Sequence, residues 1–290
     1  MVRVLRSTGD SIASVLFPAD CRVCGDPLAV FSRVPVCDFC WNNLPEQSGP
    51  LCSRCDESLS VSDFGDGGSQ QCRVCRLAAP DFERAVAHGL YLGTMRSLLH
   101  LLKYDGLEPV AVPLGALLAK KAAAIADLPA KMVVVPVPLY KGKRRERGFN
   151  QSELLARAFC HAMRRMRPEW EGQPAFNGLE RTRQTASQAG LTLHERRRNL
   201  RGVFSVPKPE TVRGRDVLLI DDIYTTGATA RACSLALKKA GAARVWVATV
   251  ARAQRHEIQF VSSGIGAEVL APELPMHEDV AMWDGGRTTQ

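Results

Sequence analysis

The chain has 290 residues, of which 46% are hydrophobic and 23% charged, and its formal net charge is +8. This length suits two domains with an apolar core, and because no 18 consecutive residues are apolar, we expect no membrane-spanning helix. Residues 1–80 hold seven Arg against nine Asp and Glu, whereas residues 81–290 hold 31 basic and 21 acidic residues. The basic excess therefore belongs to the second part of the chain.

Eight of the ten cysteines fall into four CxxC pairs. A CxxC turn presents two thiolates to one metal ion, and two such turns complete a tetrahedral Cys₄ site. The four pairs therefore predict two zinc ions, which are structural because four protein ligands leave no open position. In the simplest assignment the first two pairs share one ion and the last two share the other. The predicted ligands are Cys21, Cys24, Cys37 and Cys40, followed by Cys52, Cys55, Cys72 and Cys75.

Other interpretations of these cysteines stay open at this point. The pairs could interleave between two ions, or a single site could be occupied. Disulfides belong to oxidising compartments, but Arg3, Arg6 and Asp10 interrupt any apolar run in residues 1–18, so no secretory signal is expected. A redox CxxC would occur once within a βαβ pattern, not four times. We therefore expect a cytoplasmic protein whose residues 1–80 form a small domain stabilised by metal.

After residue 80 the pattern alternates between strands and helices, which argues for a doubly wound parallel α/β sheet. A strand is predicted over residues 85–92, followed by a helix with Thr94 as its cap. Pro113 is expected to open a second helix, rich in Leu and Ala, that runs to about Asp127. The chain therefore enters its second part with a β-α-α segment.

The alternation continues through the rest of this part of the chain. Asn150 with Glu153 resembles a capping box for a helix that ends near Arg167. Apolar runs predict four more strands, at 132–135, 203–206, 217–220 and 245–250. A helix is predicted over 230–240. The expected division is a Cys-rich domain at 1–80, an α/β domain at 81–272 and a partly disordered tail at 273–290.

The most informative segment is 217–229, with the sequence VLLIDDIYTTGAT. Four apolar residues predict a buried strand, and Asp221 and Asp222 follow at its carboxyl end, where open α/β sheets bind ligands. Backbone N–H groups of the next loop and helix start favour a phosphate, and the carboxylates can accept hydrogen bonds from ribose hydroxyls. The segment therefore predicts a sugar-phosphate site. The phosphate loop comprises Thr225, Thr226, Gly227, Ala228 and Thr229.

This segment resembles the 5-phosphoribosyl-1-pyrophosphate (PRPP) signature of type I phosphoribosyltransferases. The resemblance narrows to the competence protein F (ComF) family, which joins an N-terminal double zinc ribbon to such a domain. Four further motifs carry it: Lys103 with Tyr104, residues 135–138, residues 147–151, and Arg181 with Gln184. Farther along, Arg198, Asn199, Gly202 and Phe204 match the family pattern, whereas Val203 replaces its Ala.

The resemblance implies three stations for PRPP. The phosphate loop would take the 5'-phosphate, and Asp221 with Asp222 would take the ribose hydroxyls, with Asp222 the more critical. The pyrophosphate, accompanied by Mg²⁺, would lie at a loop formed by Pro136, Val137 and Pro138, where only Val137 offers an N–H. Lys103 and Arg147 are the candidate cations for it. A mobile loop that contains Arg181 and Gln184 would close over the site.

The functional hypothesis is an enzyme that transfers phosphoribosyl from PRPP to an unknown acceptor, releases pyrophosphate, and has a role in natural competence and DNA uptake. The alternative is a non-catalytic factor that binds PRPP and single-stranded DNA, because the basic residues at 141–147 and 181–201 could follow a phosphate backbone. A third hypothesis is a zinc-ribbon adaptor for competence or DNA-processing proteins. The sequence names no acceptor.

Overall fold

A parallel sheet lies at the centre of the part of the chain that a computed structural model describes, residues 19–30, 32–60, 63, 70–183, 200 and 202–254. Its strand order is β1-β7-β6-β2-β3, and every neighbouring pair is parallel. The strands are β1 (Arg84–Leu90), β2 (Lys131–Pro136), β3 (Glu171–Pro174), β6 (Asp216–Tyr224) and β7 (Arg244–Arg252). Two short strands, β4 (Glu180–Arg181) and β5 (Phe204–Ser205), form a separate antiparallel pair. The predicted parallel α/β sheet is confirmed.

Helices flank the sheet and connect its strands. They are α1 (Asp38–Asn42), α2 (Arg73–Leu77), α3 (Gly93–Lys103), α4 (Ala111–Ala123), α5 (Lys141–Arg147), α6 (Gln151–Met166) and α7 (Ala228–Lys239), with 3₁₀ turns at Glu108–Val110 and Pro209–Thr211. Within the described ranges none of these helices has the length and apolarity to cross a bilayer.

Several predicted boundaries were wrong. Helix α3 begins at Gly93 after Leu92, so Thr94 lies inside the first turn and is not the cap. Helix α4 begins before Pro113 and ends at Ala123, short of Asp127. These errors arise because a 3₁₀ turn and tertiary packing, not local caps, set these helix ends,.

Two further predictions need correction. Asn150 does cap α6 by accepting a hydrogen bond from the Ser152 N–H, but the Glu153 carboxylate pairs with Arg144 and Arg157 instead of closing a capping box. The strand predicted at 203–206 is only two residues long and pairs with β4, outside the main sheet. Neither error moves the strands that carry the site.

The two cysteine clusters pack into different halves of the core. The first four cysteines share a cluster of buried residues with α3, α4 and α6, and the last four share one with α7. Side chains alternate between these clusters along β6, since Leu218 and Ile220 belong to the first and Leu219 to the second,. The Cys-rich segment therefore wraps one side of the sheet and reaches both of its faces.

The same segment covers the outer edge of β1, the strand that ends the sheet order on this side. The Ala85 N–H donates to the Arg54 carbonyl at 2.8 Å, and the Leu90 N–H donates to the Pro45 carbonyl at 2.8 Å. Between them, the Ala87 N–H donates to the Asp56 carboxylate at 3.1 Å. These contacts satisfy donors that an open sheet edge would leave exposed to pairing with another chain.

We predict that Asp56→Ala destabilises the protein whereas Asp56→Asn nearly preserves its stability. Asp56 is 2% exposed and has a φ of 58°, and Lys121 lies 3.9 Å away. Alanine would leave the Ala87 N–H unpaired at a cost of about 1–3 kcal/mol and would strain the left-handed backbone. Asparagine keeps an acceptor oxygen and tolerates that conformation. Melting temperatures at equal zinc content measure the effect, and equal values for the two variants would contradict it.

Candidate functional site

The acidic pair lies near the carboxyl end of β6, beside the corresponding end of β7. The strand runs through both carboxylates to Tyr224, four residues farther than the predicted end at Ile220, because its pairing with β7 continues to Arg252. Asp221 pairs in register with Thr249 of β7. The backbone of both aspartates therefore belongs to the sheet rather than to a loop, which fixes the positions from which their carboxylates project.

The phosphate loop turns directly from β6 into α7. Gly227 is the N-cap of this helix and has a φ of 75°, a left-handed conformation that glycine adopts without strain,. A Cβ at this position would collide with the Tyr224 hydroxyl, so glycine is also required for space. The Thr226 hydroxyl accepts a 3.4 Å hydrogen bond from the Ala228 N–H. Helix α7 thus starts two residues earlier than predicted, at Ala228.

A small cavity lies at this turn, and loop and strand residues line it together. The lining includes Asp221, Thr225, Gly227 and Thr229. The first turn of α7 therefore borders the cavity, and a helix N-terminus favours an anion,. The structure brings one carboxylate and the predicted phosphate loop to the same cavity.

Three polar groups hold the acidic pair. Lys103, the last residue of α3, forms an ion pair with Asp222, and their side chains are 15% and 7% exposed. The Asp221 carboxylate accepts hydrogen bonds from the Ser152 hydroxyl and from the Asp222 N–H, both at 3.0 Å. Lys103 therefore pairs with the Asp222 carboxylate, whereas the Ser152 hydroxyl donates to the Asp221 carboxylate.

The pKa shifts follow from this asymmetry. Burial raises the pKa of Asp221 well above its ordinary value, and the neighbouring charge of Asp222 adds to the effect. Burial acts on Asp222 in the same direction, but the Lys103 ammonium outweighs it, so the pKa of Asp222 is lowered. Conversely, Asp222 outweighs the burial of Lys103 and raises the pKa of that ammonium. The Lys103 ammonium thus compensates Asp222 more fully than Asp221.

The segment after β2 lies close to the site, but the Val137 N–H, which was expected to bind pyrophosphate, donates to another backbone group. The Val137 N–H donates to the Ile220 carbonyl at 2.9 Å, so it extends the sheet and is not free for a phosphate. Pro136 is the last residue of β2, and Pro138 is half-buried. The Asn150 side-chain amide donates to the Val137 carbonyl at 3.1 Å. This contact joins the segment to the start of α6.

Arg147 stands at the rim of the site. It ends α5, donates to the Gln151 side chain at 2.6 Å, and lies 5.4 Å from the centre of the Tyr104 ring. Gln151 precedes Ser152, the hydroxyl that binds Asp221. Arg147 is therefore linked to the acidic pair through α6, whereas Lys103 contacts it directly.

Arg181 is half-buried in β4, with its guanidinium 5.9 Å from the centre of the Phe204 ring. Burial lowers the pKa of this guanidinium, and the nearby Cys233 and Asp221 oppose the shift. The Arg181 guanidinium is therefore near enough to Asp221 for their charges to interact. Gln184, the other residue of the expected mobile loop, lies outside the described residues.

The cysteines form two groups of four, in the simplest of the predicted pairings. The first group contains Cys21, Cys24, Cys37 and Cys40 and the second contains Cys52, Cys55, Cys72 and Cys75, with all ligand atoms of each group within 4.8 Å of one another. Sulfur pairs in these groups lie 3.6–3.8 Å apart. A tetrahedron with Zn–S bonds of about 2.3 Å has edges of about 3.8 Å. Both groups therefore fit zinc, and the interleaved pairing is wrong.

Two polar residues of the site were not predicted from the sequence. Ser152 and Asn150 come together because they begin α6, and Asn150 both caps the helix and bonds the segment after β2. From sequence, Asn150 was assigned to a helix cap and to the family motif at 147–151, and Ser152 was given no role. The 69 residues between Ser152 and Asp221 gave no indication of their contact.

Comparisons with known proteins match both parts of the chain. A double zinc ribbon domain model matches residues 12–76, and a phosphoribosyl transferase domain model matches residues 179–263. Among solved structures, glutamine phosphoribosylpyrophosphate amidotransferase from B. subtilis has 26% identity and a TM-score of 0.31, and it covers 49% of this chain and 26% of its own.

Curated relatives match over most of the chain. The DNA utilization protein YhgH of Escherichia coli O157:H7 is 30% identical over 237 residues, which cover 79% of this chain and 95% of the relative. Competence protein F of Haemophilus influenzae is 30% identical over 230 residues, covering 75% and 96%. Competence protein ComFC of Bacillus subtilis is 28% identical over 225 residues, covering 75% and 84%. The chain belongs to the competence protein F family and joins a double zinc ribbon to a phosphoribosyltransferase domain.

Proposed function

We propose that the protein binds PRPP and transfers its phosphoribosyl group to an acceptor with release of pyrophosphate. The observation that carries this proposal is the shared cavity of Asp221 and the phosphate loop at the N-terminus of α7. Such a helix start, reached through a glycine in the left-handed conformation, suits a phosphate monoester,. The acidic pair beside it suits a sugar diol.

Each part of PRPP would meet a different element. Residues 225–229 would take the 5'-phosphate, and Asp221 with Asp222 would accept hydrogen bonds from the ribose hydroxyls. Because Lys103 already pairs with Asp222, its main contribution would be to keep that carboxylate ionised. Arg147 would then be the more available cation for the pyrophosphate, near Pro136 and Pro138.

In this scheme the protein acts mainly by electrostatics and positioning. As the bond to pyrophosphate lengthens, positive charge grows on the ribose ring, and the acidic pair opposes it. Mg²⁺, which takes oxygen ligands and would be held chiefly by oxygens of PRPP, would neutralise part of the leaving-group charge. Ser152 would hold Asp221 in one orientation through the 3.0 Å hydrogen bond. Closure of the loop that includes Arg181 and Gln184 would exclude water.

The direct experiment measures pyrophosphate release from PRPP and Mg²⁺ with nucleobases, amines and single-stranded DNA ends as acceptors. Release with one acceptor and none without it would support transfer. Absence of release with every acceptor, together with intact PRPP binding, would contradict the enzymatic half of the proposal.

Asp222→Asn is expected to weaken Mg·PRPP binding by about 100-fold, because charged hydrogen bonds contribute about 1.5–3 kcal/mol each. Titration calorimetry measures the change. The matched control is Asp216→Asn, the same substitution at the opposite end of β6, about 20 Å away at 3.3 Å per residue. Asp216 pairs there with Arg244. Equal affinities of Asp222→Asn and wild type would contradict the ribose assignment.

Asp221→Asn is expected to stabilise the ligand-free protein while weakening PRPP binding by about tenfold. The folded-state pKa of Asp221 is raised, so its contribution to stability is full below about pH 4, its ordinary value, and is lost as pH rises. The variant should therefore gain stability over wild type as pH increases from 4 to 7. Melting temperatures across this range, with calorimetry at pH 7, measure both effects. A variant less stable than wild type at pH 7 would be the contrary result.

A second candidate function, binding of single-stranded DNA, is favoured by α5. Five of its seven residues are Lys or Arg, and none is buried. Relatives carry the names DNA utilization protein and competence protein. A role in DNA uptake, in the cytoplasm and with partners among DNA-processing proteins, would agree with these names.

The domain boundary at residue 80 and the separate tail at residues 273–290 stay predictions.

Lys143→Gln combined with Arg145→Gln is expected to weaken single-stranded DNA binding regardless of sequence. It should also reduce the slope of log K against log salt by about 1.4, since each contact with a single strand contributes about 0.7. The control combines Lys131→Gln with Lys239→Gln, which are exposed where β2 begins and α7 ends. Fluorescence anisotropy at several salt concentrations measures both. An unchanged slope in the α5 variant would exclude α5 as the contact.

A further inference from the structure

We propose that the second cysteine group is a structural part of the phosphate site, and that Arg252 and Arg231 are the positioning residues that connect them. Cys52, Cys55, Cys72 and Cys75 form this second zinc centre. The part of this inference that concerns PRPP rests on the proposed function. The part that concerns the order of the phosphate loop does not.

Arg252 provides the first connection. It ends β7 and is 1% exposed. Its guanidinium donates to the Cys55 carbonyl, lies 3.7 Å from the Cys55 Sγ, and pairs with the Glu57 carboxylate. The same guanidinium lies 4.4 Å from the centre of the Tyr224 ring. A single buried cation thus contacts a zinc ligand on one side and the end of β6 on the other.

Tyr224 transmits this contact to the loop. It is 5% exposed and packs edge-on against Phe82. Its hydroxyl occupies the space next to Gly227, where any Cβ would collide with it. The Tyr224 side chain therefore packs directly against Gly227, the N-cap of α7. A shift of Arg252 would allow the Tyr224 ring to move and would thereby change the position of Gly227.

Arg231 provides an independent connection from the helix itself. It lies in the first turn of α7, where its own N–H donates to the Gly227 carbonyl at 2.9 Å. Its guanidinium donates to the Ala78 carbonyl at 2.7 Å and lies 3.9 Å from the Cys75 Sγ. The start of α7 is thereby tied to the segment that carries the last zinc ligands.

Both connections place a cation against a cysteine sulfur, and Arg252 also pairs with the Glu57 carboxylate. Zinc with four thiolates carries a net charge of −2, and buried charge is costly unless it is paired. All four cysteines of the second zinc centre are buried, whereas Cys24 and Cys37 of the first group are half-buried. Without Arg252 and Arg231, a dianionic centre beside the phosphate loop would repel the anion that the loop is built to bind.

The consequence is coupling between zinc retention and phosphate binding. If zinc at the second centre orders the loop, then a ligand on the loop must stabilise that zinc by the same free energy. The first group packs in the other half of the core, with α3, α4 and α6. Its zinc should therefore influence the loop far less.

The experiment compares Arg231→Met with Arg22→Met. Arg22 adjoins the first group, is 58% exposed, and pairs with Asp105, so its loss should leave the loop unaffected. Hydrogen exchange of residues 225–231 is measured without ligand, Mg·PRPP affinity by calorimetry, and zinc per chain with its rate of release to a chelator. We expect Arg231→Met to speed exchange, weaken PRPP about tenfold and release one zinc faster, and Arg22→Met to match wild type.

A second pair of variants removes the ligands themselves and is read in the same way. Cys75→Ser should disorder the loop, whereas Cys37→Ser should lose zinc from the first group and keep the loop protected. Unchanged exchange and affinity in both Arg231→Met and Cys75→Ser would overturn the inference. If wild type binds no PRPP but both variants speed exchange, the proposed function fails and the coupling stands.

Discussion

The site depends on one constraint: two adjacent carboxylates lie near the end of one strand, and among the described residues Lys103 is the cation that forms an ion pair with them, through Asp222. Along β6 the side chains alternate, so Asp222 follows Leu218 and Ile220 toward α3 and meets Lys103, while Asp221 faces the cavity at the phosphate loop. The ion pair keeps Asp222 charged in a place where burial alone would neutralise it. Asp221 is left with a hydroxyl and an amide for support. A loss of folding stability at a residue such as Asp221 is typical of a ligand-binding site.

The Cys-rich segment supplies what the sheet lacks. A five-stranded parallel sheet has two edges, and the edge at β1 is covered by Arg54, Asp56 and Pro45 rather than by another strand. The segment cannot bury enough apolar surface alone, and metal ligation makes up the difference. Each part therefore completes the other, because the ribbon covers the sheet and the sheet supplies the apolar faces on which the cysteines pack.

The sequence was sufficient for features that depend on local spacing. CxxC pairs predicted both cysteine groups, and one strand–loop–helix segment predicted the turn from β6 into α7, because each is built from residues close in the chain. Contacts between distant segments could not be predicted in this way. Ser152 lies 69 residues from Asp221 and Arg252 lies 197 residues from Cys55. The amide of Val137 was assigned to a ligand for the same reason, since its pairing with Ile220 depends on which strands become neighbours.

The two candidate functions meet on one continuous set of contacts. The basic helix α5 ends at Arg147, which bonds Gln151, and the next residue, Ser152, bonds Asp221. A nucleic acid bound along α5 would therefore contact a helix that is linked to the acidic pair through Gln151 and Ser152. The exposed ring of Tyr104, beside Arg147, offers a surface on which a base can stack,. Because PRPP and the nucleic acid would both contact Arg147, binding of one must change the affinity of the protein for the other. The sign of that change distinguishes a strand that competes with PRPP from one whose end is presented to it as the acceptor.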